Sequence, residues 1–81
     1  MEENIVIKYK GERYFVMKSI RFLDKNYIMI SKIVEYGKLD DKFEILYNNE
    51  EEMSLHQIND KKLLFKINKK MFGSILKEVV G

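Results

Sequence analysis

The chain has 81 residues, of which 46% are apolar and 12% aromatic, enough for one packed domain spanning residues 1–81 and too much for a disordered tail. It contains no cysteine and a single histidine, which excludes disulfides, thiol nucleophiles, zinc–thiolate sites and paired-histidine metal sites. A formal net charge of +2 is too small to argue by itself for a nucleic-acid partner.

Residues 5–9, 14–22 and 27–36 are rich in β-branched and aromatic side chains and predict three strands. Lys10-Gly11-Glu12 and Asp24-Lys25-Asn26 separate them as short polar connections of the kind that join antiparallel neighbours, so the three strands form a meander. Residues 37–41 read as a polar loop. Phe43, Ile45 and Tyr47 then alternate with Glu44, Leu46 and Asn48, giving a fourth strand with one mostly apolar face. After a polar turn at residues 48–52, residues 53–58 are a short fifth strand.

Residues 61–80 have the period of a helix. At 100° per residue, Leu64, Phe65, Ile67, Met71, Phe72, Ile75, Leu76 and Val79 share one broad face, and Lys62, Lys66, Lys69, Lys70 and Lys77 share the other. Asn59 or Asp60 supplies the N-cap, because a short side-chain oxygen there accepts from the free amides of the first turn. Gly73 projects among the lysines. The fold class expected is α+β: an antiparallel sheet of four or five strands, open as a meander or rolled toward a barrel, with the C-terminal helix laid across one face.

Few residues point to chemistry. His56 near Asp60 is the one candidate general base, and a lone histidine in a short strand is more commonly structural. None of Ser19, Ser31, Ser54 and Ser74 lies in a Gly-x-Ser-x-Gly turn, and the four glycines are too far apart to cradle a phosphate. Asp40-Asp41 and Glu50-Glu51-Glu52 lack the spacing of a calcium loop and read as solvated turns. The sequence therefore predicts no catalytic residue, no metal ligand and no cofactor.

Charge placement says more than net charge. Residues 40–60 are acidic and residues 61–81 basic, and the lysine stripe makes Lys62, Lys66, Lys69, Lys70 and Lys77 the candidate partner-binding residues. The stripe has no arginine to read a base edge and no ring on which a base could stack, so nucleic acid would be held by backbone attraction alone. Five tyrosines, Tyr9, Tyr14, Tyr27, Tyr36 and Tyr47, add side chains that are enriched at protein interfaces.

The order of elements carries a resemblance. The run "YFVMKSIRFLDKNYIMISKI" at residues 14–33, followed by "FEILYNNEEEMSLHQINDKKLLFKINKKMFGSILKE" at residues 43–78, resembles the YrzB-like family of small bacterial proteins. The shared features are an aromatic-led strand, here at Tyr27, and an Ile-x-Asp step into an amphipathic helix, here Ile58-Asn59-Asp60. The family's helix is typically acidic, whereas this one is lysine-rich. The resemblance implies no catalytic residues.

The function expected is therefore a small non-enzymatic protein that works by binding another protein. Its size, and a composition rich in Lys, Ile and Asn without proline, alanine or threonine that reads as AT-rich coding, also suit a phage or mobile-element inhibitor of host defence of the anti-CRISPR kind. The alternative is a nucleic-acid-binding module that uses the lysine face, and a homodimer stays open. The acidic start Met1-Glu2-Glu3-Asn4 is unlike a secretory signal, and no apolar run spans a membrane, so a cytoplasmic setting without a membrane partner is expected.

Overall fold

The structure is a computed structural model that describes residues 1–80, with side chains for residues 1–76. Among the described residues six strands precede one helix: β1 Val6–Tyr9, β2 Glu12–Phe22, β3 Lys25–Glu35, β4 Lys38–Leu39, β5 Glu44–Asn49, β6 Ser54–Gln57 and α1 Lys61–Val80. The class is α+β, as the alternation of apolar periods predicts.

Two tight hairpins set the register. Tyr9 pairs with Glu12 across Lys10-Gly11, and Phe22 pairs with Lys25 across Leu23-Asp24; all four loop residues have positive φ, as a type I′ turn requires. The strand order is β1-β2-β3-β5-β6, antiparallel throughout, so the first three strands are a meander. The sheet does not close into a barrel, because β1 and β6 remain as its two edges. The predicted loop at residues 37–41 contains the small strand β4, which folds back on the end of β3 through a turn in which Gly37 supplies the positive φ.

A bulge in β2 decides which side chains go where. Val16 pairs with Ile30 but Lys18 pairs with Met29, so Met17 is an extra residue and the in–out alternation inverts at that point. Val16 packs with Ile28, Ile30 and Leu46 on the face without the helix, where Ile5, Ile7, Tyr9, Tyr14 and Leu55 close around them. Ile20 and Phe22, beyond the bulge, join Tyr27, Met29, Ile45, Ile67 and Met71 under the helix.

The fourth strand keeps its apolar face, with Ile45 and Tyr47 in the core under the helix, and its other face is covered too: Leu46 and Asn48 are both buried, because the sheet has a core on each side. Met53 lies in the turn before β6 with a φ of 54° and is exposed, so the strand starts one residue later than its apolar alternation suggests.

The helix boundaries agree with the periodicity. Asp60 is the cap: its Oδ1 accepts from the amides of Lys62 at 3.0 Å and Leu63 at 3.1 Å. Ile67 and Met71 are fully buried, and Leu63, Leu64 and Ile75 are half-buried against the sheet. The predicted apolar face is broader than the surface that covers it, so Phe65, Phe72 and Leu76 are left exposed. Val79, also placed on that face, lies outside the residues whose side chains are described.

Candidate functional site

α1 covers only part of its sheet face. Val6 on β1, Arg13 and Phe15 on β2, Ile33 and Glu35 on β3 and the Tyr36-to-Leu39 hairpin line a groove of about 670 Å³ that no element of the chain fills. Local sequence explains the position. Val6 and Phe15 are direct partners across the β1–β2 hairpin, and Ile33 pairs with Leu39, so four apolar side chains meet at one end of the sheet. Tyr36 sits in the turn between Glu35 and Lys38 and is fully exposed.

The charges around this floor do not balance. Lys38 Nζ lies 3.5 Å from Glu35 Oε1, a pair that cancels itself. Arg13 forms no ion pair with any described residue, and its direct partner across the hairpin is Lys8, also without one. Glu12, the neighbouring acid, is committed to Lys32 at 3.7 Å. The groove is thus apolar below and cationic at one lip.

The lysine stripe lies elsewhere, on the outer side of α1. Lys62, Lys66 and Lys69 are exposed. Lys70 is engaged within the fold: its Nζ donates to the Arg21 carbonyl at 3.3 Å and sits 5.2 Å above the Phe22 ring. Lys77 lies outside the residues whose side chains are described. The groove and the stripe are separate surfaces, and the sequence pointed only to the second.

Comparison with protein-family models, curated proteins and solved structures finds no match. The site must therefore be read from its own chemistry.

His56 is exposed on β6, stacked on Tyr47 with ring centroids 5.9 Å apart, and its Nε2 lies 2.8 Å from Ser54 Oγ. Asp60 forms no hydrogen bond or ion pair with it; that carboxylate caps the helix. A serine–histidine contact needs an acid to orient the imidazole and donors to stabilise an oxyanion, and neither accompanies this one among the described residues. No group of three or more His, Asp or Glu side chains there converges as a metal site. Asp40 is held below the ordinary carboxylate value by a side-chain hydrogen bond with Asp41 and then by the Lys42 amide, both at the surface. No described helix is long and apolar enough to cross a membrane.

A buried charge was also missed. Lys18 is 6% exposed and its Nζ lies 3.4 Å from Glu3 Oε2, which accepts from the Ser19 amide at 2.8 Å. The contact ties the segment before β1 to the bulged strand, which marks it as architecture. The groove residues left a signal: Tyr36-Gly37 between two polar residues is the composition of a turn, and an aromatic side chain at such a tip has nowhere to be buried.

Proposed function

We propose that this chain is a non-enzymatic binding protein that docks a segment of another protein in the groove floored by Val6, Phe15, Ile33 and Leu39. The observation that carries the reading is Tyr36, an aromatic ring left wholly in solvent beside an apolar groove of about 670 Å³. Tyrosine at the lip of an apolar depression is the composition of a protein-binding surface, where such rings become anchors. A cytoplasmic setting suits a cysteine-free chain of this kind, and inhibition of a host-defence protein is one use to which such docking could be put. We read the order of elements as YrzB-like on residues 14–33 and 43–78 alone.

The test is affinity capture with the full chain, comparing wild type, Tyr36→Ala and Leu39→Asp, two changes at exposed positions. A partner retained by wild type and lost by both variants supports the reading. A partner that ignores both places the interaction elsewhere.

A second reading keeps the lysine face as a nucleic-acid surface, favoured by the exposure of Lys62, Lys66 and Lys69 on one side of α1. Phosphate binding weakens steeply with salt, so DNA or RNA should bind at low ionic strength and release as salt rises. No binding at low salt would end it.

A further inference from the structure

Resting on the docking reading above, we propose that the segment the groove takes is an acidic one, with a carboxylate next to an apolar anchor side chain. The floor fixes the anchor. Val6, Phe15, Ile33 and Leu39 offer aliphatic and aromatic surface without a buried polar group, which rewards a hydrocarbon side chain and penalises a polar one.

The lip fixes the carboxylate. Arg13 lines the groove and its direct cross-strand partner Lys8 has the same sign, an arrangement that repels, while Glu12 is paired with Lys32 and Glu35 with Lys38. A ligand carboxylate would relieve this repulsion and gain from the guanidinium, whose planar fork donates to both of its oxygens at once. The excess positive charge also steers an acidic chain toward the lip during encounter.

Two other occupants fit less well. A nucleic-acid strand would place phosphates over the aliphatic floor. A second copy could offer its exposed Met53 behind Glu50, Glu51 and Glu52, but Glu50 is paired with the Met1 ammonium at 3.0 Å. That contact would also join two different surface patches, head to tail.

The experiment selects binders to the full chain from a phage-displayed library of short random-sequence peptides. Each selected peptide is then titrated by fluorescence anisotropy against wild type, Arg13→Glu, Leu39→Asp, Tyr36→Ala and, as a control, Lys69→Glu. Circular dichroism melts establish that every variant folds.

The expected result is a set of peptides enriched in Asp and Glu beside Phe, Leu, Ile or Met. Their affinity should fall roughly tenfold or more with Arg13→Glu, fall with Leu39→Asp and Tyr36→Ala, and stay unchanged with Lys69→Glu. Peptides that depend on Leu39 and Tyr36 but show neither acidic enrichment nor sensitivity to Arg13→Glu would overturn the acidic preference and leave the docking reading standing. No selected peptide, or peptides indifferent to Leu39→Asp and Tyr36→Ala, would overturn both. A dimer in solution that Arg13→Glu dissociates would make a second copy the occupant and overturn the proposal.

Discussion

Phe43 and Phe72 meet edge to face with ring centroids 5.4 Å apart, yet 45% of the one and 39% of the other remain exposed. The contact clamps the segment before β5 to the outer flank of α1, at the rim of the core. Ile67 and Met71 on the inner flank have no exposure at all. Truncating either to alanine should leave a cavity and cost about 2–5 kcal/mol, whereas Phe72→Ala should cost much less. In a double-mutant cycle, the Phe43–Phe72 coupling should come to about 0.5–1.5 kcal/mol. Urea unfolding measures all of these, and a Phe72→Ala loss equal to that of Ile67→Ala would mean the helix is rotated from the orientation described.

The Glu3 contact separates two physical effects. Its Oε2 gives the Ser19 amide an acceptor and Lys18 a counter-charge where Lys18 is nearly buried. Glu3→Gln keeps an acceptor and removes the charge, while Glu3→Ala removes both. Glu3→Ala should cost about 1–3 kcal/mol and Glu3→Gln a smaller amount. Chemical denaturation reads both losses, and no measurable change in Glu3→Ala would show that the segment before β1 is not docked.

The β2–β3 hairpin carries strain that sequence engineering can remove. Leu23 and Asp24 adopt φ of 50° and 62°, a left-handed region that is costly for a branched side chain, and Leu23 is exposed, so its loss sacrifices little packing. Replacing the pair with Asn-Gly should stabilise the protein by about 1 kcal/mol. For a domain of this size that raises Tm by roughly 4–8 °C, which calorimetry would read. An unchanged Tm would mean the turn is already relaxed.

The elements with a strong period were legible and the exceptions were not, for reasons that lie in particular residues. The lysine-backed stripe of α1 and the capping oxygen of Asp60 are local signals, so the helix and its start could be read directly. The Met17 bulge is invisible to alternation, because nothing local announces that Val16 and Lys18 face opposite sides. The core on the face without the helix buries Leu46 and Asn48 opposite the apolar face that alternation shows, a consequence of strands far apart in sequence. The groove escaped for the same reason: Val6, Phe15, Ile33 and Leu39 come from four strands and converge only through the pairing of β1 with β2 and of β3 with β4.

Tyr27 makes stability depend on alkaline pH. The residue is 2% exposed under the helix, and its phenol is held above the ordinary value of 10.0, first by burial and then by the neighbouring Tyr47, whose ring centroid is 5.8 Å away. Burial penalises the phenolate, so the unfolded chain releases this proton at a lower pH than the folded one does. The contribution is therefore fully present below the unfolded value, and it declines as pH rises from there through the folded value. Wild type and Tyr27→Phe should differ by a constant offset up to about pH 10, and above it the variant should lose stability less steeply. Urea midpoints measured across the alkaline range decide the matter. Parallel curves throughout would mean that Tyr27 ionises as easily folded as unfolded.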